Sequence, residues 1–258
     1  MSYLISEENL ERQRLLTSFL GPTTDKLLDS LELPPGSRCL DIGCGIGEST
    51  RQLAKRIPHS SEVIGIEQDP KLVDTATQLL GTVDCEVRFQ QGDATNLDFP
   101  DHTFDLVFAR FLLAHMEDPN SVVKEMLRVC RSGGIVALQE PDMGSGYAHP
   151  PNWALEKCFE VVIQMFPDAL IGRKLYSILR QMGYTSPRID ADCTATVDGD
   201  YKRWCTLTTE AMGPAMVEKG LMETEEVEKM SEEISRLEKD ENTLFLSHTI
   251  YSAWVIKK

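Results

Sequence analysis

The sequence has no Cys-x-x-Cys pair, no run of lysines and arginines, no internal repeat and no low-complexity linker. No apolar stretch approaches the roughly 20 residues that cross a bilayer, so a membrane-spanning segment is not expected. Seven cysteines stand scattered at 39, 44, 85, 130, 158, 193 and 205. An odd number without metal-ligand spacing argues against a zinc site or a disulfide framework, and reads as reduced, mostly buried thiols. Positive charge is scarce: 26 Lys and Arg stand against 41 Asp and Glu, a net charge of −15. A nucleic-acid or anionic-membrane surface needs clustered cations, so neither partner is expected. Met1-Ser2-Tyr3-Leu4-Ile5-Ser6-Glu7-Glu8 lacks a basic region followed by an apolar core. The expectation is therefore a cytoplasmic protein. Its 258 residues suffice for one large domain, or one domain with a substantial cap.

What is present is a turn. Arg38-Cys39-Leu40-Asp41-Ile42-Gly43-Cys44-Gly45-Ile46-Gly47 carries an apolar run, then three glycines at alternate positions, and a helical pattern starts at Glu48. This reads as strand, tight turn and helix start, an arrangement that sets backbone N–H groups and a helix N-terminus against a small ligand. A Gly-x-Gly-x-x-Gly dinucleotide fingerprint needs its third glycine at position 48, which is Glu48. Asp41 would repel a pyrophosphate and suits a ligand bearing a cationic amine. A nicotinamide dehydrogenase is thus the disfavoured reading of the same pattern.

An amphipathic helix is expected after Ser6, with Leu10, Leu15, Leu16, Phe19 and Leu20 on its apolar side. Gly21-Pro22 is expected to break it ahead of a second helix from Asp25 to Leu33. After the central strand, further strands are expected at 63–67, 85–90, 104–109 and 135–139. Helices intervene over 48–57, where Pro58 stops the first, and after Asp69-Pro70 and Asp118-Pro119. Later, 152–166 and 172–182 read as helices, 185–193 and 243–256 as strands, and 199–242 as a helical insertion. Strands alternating with helices demand a doubly wound α/β fold around a parallel sheet. Ligands of such sheets bind beyond the carboxyl ends of the strands. Asp41, Glu67, Asp93, Arg110 and Glu140 all fall there, and that convergence is the main functional argument. Glu67, about twenty residues past the glycine turn, suits a pair of ribose hydroxyls.

The Leu-Asp-x-Gly-Cys-Gly-x-Gly stretch, together with Phe104-Asp105-Leu106-Val107-Phe108-Ala109-Arg110-Phe111, resembles class I (Rossmann-like) S-adenosylmethionine-dependent methyltransferases. Leu112-Leu113-Ala114-His115-Met116-Glu117-Asp118-Pro119, and Tyr3 with Glu11-Arg12-Gln13-Arg14-Leu15, resemble the ubiquinone/menaquinone-biosynthesis-type small-molecule enzymes of that family. The resemblance implies a seven-stranded, mostly parallel sheet with the last strand antiparallel. It divides the single domain into N-terminal helices (1–33), a cofactor-binding half (34–145) and a substrate-side half (146–258) holding the cap. It implies S-adenosyl-L-methionine as cofactor, with Gly43, Cys44, Gly45 and Gly47 shaping the loop and Asp41 toward the methionine ammonium. Glu67 would serve the ribose, Asp93 and Ala94 the adenine, and Gln68 would also touch the cofactor. Arg110 would meet the carboxylate, or else bridge to Asp142 or Glu140. Tyr3 would stack near the sulfur, and Arg14 or Arg12 would reach the carboxylate.

The activity implied is methyl transfer to a small apolar or aromatic metabolite, with an oxygen, nitrogen or carbon acceptor left open. His115, Glu140 and His149 are the candidate bases, since neutral imidazole is available near pH 7. The plainer reading of His115 is a structural residue ahead of a helix cap. Trp153, Phe159, Met165, Phe166, Tyr201, Trp204, Met212, Met216 and Met222 fit either an acceptor pocket or an ordinary cap core. The sequence lacks both the metal-ligand set of catechol methyltransferases and the Asn/Asp-Pro-Pro-Tyr of amino-methylating nucleic-acid enzymes, so no metal is expected. Two other classes stay open: a protein that uses the cofactor without consuming it, for cyclisation or rearrangement, and a non-catalytic partner subunit. A monomer and a homodimer fit equally.

Overall fold

The computed structural model describes residues 10–57 and 61–258. In chain order the elements are α1 (Leu10–Asp29), β1 (Arg38–Ile42), α2 (Glu48–Ala54), β2 (Glu62–Glu67), α3 (Pro70–Gln78) and β3 (Glu86–Gln91). Then come β4 (Phe104–Arg110), α4 (Pro119–Val129), β5 (Cys130–Asp142), β6 (Tyr147–His149), α5 (Trp153–Gln164) and α6 (Leu175–Gln181). The chain ends with β7 (Arg188–Asp192), β8 (Ala195–Thr196), α7 (Asp200–Glu218), α8 (Thr224–Glu238), β9 (Leu244–Leu246) and β10 (Thr249–Ile256).

Seven strands form one sheet in the order β3-β2-β1-β4-β5-β10-β7. The first five are parallel, and β10 runs antiparallel to both β5 and β7. This is the doubly wound sheet with an antiparallel last strand that the resemblance implies. Alternation along each strand sends side chains to opposite faces. Leu40, Ile42, Ile64 and Val107 pack on one face, while Cys39, Val63, Leu106 and Phe108 pack on the other. Both faces are apolar because helices cover both. Two of those helices start on an Asp-Pro pair, where Asp69 accepts from the Lys71 amide at 2.9 Å and Asp118 from the Asn120 amide at 3.0 Å. A third cluster joins α5, α7 and α8 through Leu155, Met216, Met230 and Ile234, and builds the cap expected over 199–242.

The N-terminal region differs from its sequence reading. Gly21-Pro22 does not divide it; α1 runs through both residues. Interior proline costs about 3 kcal/mol or more, so contacts on either side must outweigh it. Thr24 is fully buried and donates to Gln139 Oε1 at 2.6 Å, and Gln52 donates to the Gly21 carbonyl at 2.9 Å. Leu20, Leu27 and Leu28 are buried beside them. Tertiary packing therefore holds one helix where the local signal reads two. The start of that helix at Ser6, the stop at Pro58 and the Tyr3 assignment lie outside the described residues.

The segment 185–193 holds the one strand β7, with β8 just beyond it, whereas 243–256 divides into β9 and β10. A small antiparallel sheet, β6-β9-β8, takes the short strands, and β5 continues to Asp142, where Thr249 of β10 pairs with it. Among the described residues no helix is long and apolar enough to cross a membrane.

Candidate functional site

A cavity of about 700 Å³ lies beyond the carboxyl ends of β1 to β5 and is roofed by α1, α5 and α7. One end is built by the glycine loop (Gly43, Cys44, Gly45) and by Glu67, Gln68, Asp93 and Ala94. Aromatic and thioether side chains build the other: Phe19, Phe166, Tyr201, Trp204, Met116, Met143 and Met212.

The loop is fixed from two directions. The Gly43 and Cys44 amides donate to the Ile66 carbonyl at 2.8 and 3.0 Å, fastening the end of β1 to that of β2. Gly43 and Gly47 take φ of 72° and 81°, a region costly for residues with a Cβ. A Cβ on Gly43 would stand 2.8 Å from Leu112 Cδ1, and one on Gly47 would stand 2.6 Å from Phe89. Glu67 completes the clasp: Oε2 accepts from the Gly45 amide at 3.0 Å, and Oε1 from the Gln68 and Asp69 amides at 2.8 and 3.1 Å. Its carboxylate is thus set rigidly at the rim of the cavity.

Asp41 is placed differently from its sequence reading. It is fully buried and does not line the cavity; Ser49, on the first turn of α2, does. Its Oδ2 accepts from Ser49 Oγ at 2.7 Å and Thr50 Oγ1 at 2.6 Å, while Oδ1 has no partner. Burial pushes its pKa up to about 6, against the two hydroxyls and the charge of Arg110. Gly47 likewise lies outside the lining. Arg110 does line it: Nε and Nη2 are buried without hydrogen-bond partners, and the guanidinium stacks 4.6 Å from the Phe111 ring. Burial draws its pKa down to about 10, so it stays cationic at pH 7.

The residues fit S-adenosylmethionine. A buried cation with two unused N–H donors suits the methionine carboxylate, and the clasped Glu67 suits ribose hydroxyls. Asp93 Oδ1 is taken by the Thr95 amide and hydroxyl at 2.8 and 2.7 Å, leaving Oδ2 for a ligand.

Other candidates separate. Arg14 is exposed and does not line the cavity, whereas the buried Arg12 does. His115 lines it, its ring 5.0 Å from that of Phe166, and burial lowers its pKa to about 4. His149 does not: β6 alternates, turning Ala148 inward and Tyr147 and His149 to solvent. His248, which the sequence reading overlooked, lines it instead. Glu140 sits beneath the floor with no exposed surface, its Oε1 accepting from the Leu112 and Leu113 amides at 2.8 and 2.7 Å. Arg110 therefore does not bridge to it, and Asp142 is held by Arg173 at 2.6 and 2.8 Å.

Burial raises the Glu140 pKa from its ordinary 4.5 to about 8. A raised folded value contributes stability below the unfolded pKa and loses it as pH rises through the folded one. Glu140→Gln keeps the accepting carbonyl without the charge. Denaturation curves are expected to show the variant gaining stability relative to the parent between pH 5 and 8.5. A difference constant with pH would mean that Glu140 is ionised throughout.

Residues 40–138 match the family described as methyltransferase domain. The 2-methyl-6-phytyl-1,4-hydroquinone methyltransferase of Synechocystis sp. is 43% identical over 108 residues, which cover 42% of this chain and 33% of that protein. The demethylmenaquinone methyltransferase of Lactobacillus johnsonii is 31% identical over 145 residues, 55% of this chain and 57% of that protein. The matches thus span from a third to under three fifths of these relatives' length. Phosphoethanolamine N-methyltransferase 2 of Haemonchus contortus, solved with S-adenosyl-L-methionine, shares the fold. Its TM-score is 0.56 at 19% identity, over 92% of this chain and 52% of that one.

Proposed function

We propose that this chain, whose residues 40–138 belong to the methyltransferase-domain family and whose sheet has the class I fold, transfers the methyl group of S-adenosyl-L-methionine to a small apolar or aromatic acceptor. One observation carries the reading: a single cavity joins a polar end, with Arg110 and Glu67, to an aromatic and thioether chamber. Relatives named as methyltransferases of a hydroquinone and of demethylmenaquinone support an acceptor of that kind.

The cofactor supplies a methyl group on a positively charged sulfur, so much of the driving force is its own. The chain's part is positional. Glu67 accepts from the ribose, Asp93 and the Ala94 amide meet the adenine, and Arg110 takes the carboxylate. Asp41 acts one layer below, holding the first turn of α2 and balancing Arg110. Phe166, Trp204 and Met116 hold the acceptor near the methyl carbon and exclude water. The carboxylates lining the cavity, Glu48, Glu67, Asp69 and Asp93, all belong to the cofactor end. Among the described residues a cationic acceptor would find no counter-charge in the chamber, so an uncharged one suits it better. Where the acceptor loses a proton, His115 is the candidate base inside the chamber.

Incubation with S-adenosylmethionine and a panel of aromatic hydroxy compounds is expected to release one equivalent of S-adenosylhomocysteine per methylated product. Turnover of an acceptor with no cofactor consumed would sink methyl transfer in favour of non-consumptive use.

A further inference from the structure

Two hydroxyls on the chamber wall opposite the glycine loop are engaged within the protein. Ser247 Oγ accepts from the Thr194 amide at 2.8 Å and donates to the His248 carbonyl at 3.1 Å. Thr208 Oγ1 accepts from Arg12 at 3.4 Å. Buried without a partner among the cavity's side chains are Tyr201 Oη, Trp204 Nε1 and one ring nitrogen each of His115 and His248. Of these, the imidazole of His248 directly follows Ser247 on this wall. Its Nδ1 is buried without a hydrogen-bond partner, facing Gly146, where a Cβ would come within 2.8 Å. Phe159 meets the same ring edge-on at 4.8 Å. The residue keeps partial exposure while lining the cavity, and of its two ring nitrogens only Nδ1 is sealed off.

The backbone on either side is pinned. The Ser247 amide donates to the Thr194 carbonyl at 2.8 Å, and the Thr249 amide to Ser145 Oγ at 2.7 Å. A ring wedged between glycine and phenylalanine on an anchored backbone is held in one orientation, which is what a recognition group needs.

We propose that His248 Nε2 is the hydrogen-bond partner of an uncharged hydroxyl or carbonyl oxygen on the methyl acceptor, making His248 a specificity-determining residue. The proposal rests on the methyl-transfer reading above. Burial draws the imidazole pKa down to about 4, and Asp142, the charge that opposes this, is bound by Arg173. The ring is therefore neutral at pH 7, able to donate or accept but not to attract an anion. Phe159 and Phe166 are seven residues apart on and just beyond α5, and they touch His248 and His115 respectively. The two imidazoles therefore stand against different phenylalanines along the wall. One histidine can thus serve the reacting group while the other reads a separate oxygen.

The test uses the full chain loaded with S-adenosylhomocysteine, and 2-naphthol and naphthalene as matched probes. The parent is expected to bind 2-naphthol about fivefold or more tightly than naphthalene, since a buried polar group left unpaired costs about 1–3 kcal/mol. His248→Phe should bring the ratio near one, and His248→Gln should retain it, with S-adenosylhomocysteine affinity unchanged in both. With only 5 histidines in the chain, ring-nitrogen NMR can follow His248 directly, and its signal should move with 2-naphthol alone. A ratio that survives His248→Phe, or that vanishes only in His115→Phe, overturns the proposal. So does failure of both probes to bind a protein that still binds S-adenosylhomocysteine. Loss of S-adenosylhomocysteine binding by the parent overturns instead the methyl-transfer reading on which the proposal depends.

Discussion

Asp41→Ala is expected to cost about 1–3 kcal/mol or more of folding stability, the range for leaving buried hydrogen-bonding groups without their partner. Three losses coincide. The Ser49 and Thr50 hydroxyls, both donating to Oδ2, lose their acceptor at the first turn of α2. The alanine leaves a space in a fully buried position. Arg110 loses the carboxylate that most favours its charge, leaving the weaker effects of Glu48 and Asp25. In the parent Arg110 is cationic at pH 7, its lowered pKa of about 10 lying well above neutrality, and removing Asp41 draws that value down further. The third loss is separable: adding Arg110→Met to Asp41→Ala should restore part of the stability, because it removes the stranded cation. Chemical denaturation of the parent, both single variants and the double variant gives the coupling. Additive effects across that cycle would refute the claim that Asp41 works by balancing Arg110.

How much of this was readable beforehand follows from the kind of signal each residue leaves. The strand-turn-helix at Asp41 to Glu48 is local: three glycines at alternate positions and an apolar strand determine it without help from distant parts of the chain. Local too are the Asp-Pro starts of α3 and α4, and the alternation of strands and helices that requires a parallel sheet. The choice between Arg12 and Arg14 was open to periodicity. Arg12, Leu16 and Phe19 all line the cavity, spaced as one stripe of a helix. Arg14, two residues on, lies about 200° around the axis from Arg12. Position along the strand ends was legible for Asp41, but its depth was not, because the hydroxyls that enclose it follow the turn and draw it under the loop. His149 and His248 leave no comparable mark. Each stands alone near a short strand, and only the pairing of β6 with β9 turns one to solvent and the other into the cavity. The unbroken α1 belongs to the same class: the contact that overrides Pro22 reaches across the chain from Thr24 to Gln139.

Glu67→Ala tests the cofactor end where the sequence and the geometry agree most closely on position. A hydrogen bond to a charged group contributes about 1.5–3 kcal/mol, and each 1.4 kcal/mol is tenfold in affinity. Loss of the carboxylate is therefore expected to weaken S-adenosylmethionine binding ten- to a hundredfold or more. The upper end is favoured because the Gly45, Gln68 and Asp69 amides lose their common acceptor, so the loop itself loosens. The ribose is common to cofactor and by-product, so S-adenosylhomocysteine should weaken by the same factor, a match that damage at the methionine end would not produce. Glu67→Gln should fall near the alanine variant rather than the parent. Its oxygen can satisfy one side of the clasp, but its NH₂ must then point at an N–H donor on the other. Titration calorimetry on both ligands decides the matter: unchanged affinity in Glu67→Ala would remove the ribose from this carboxylate, whatever else the cavity holds.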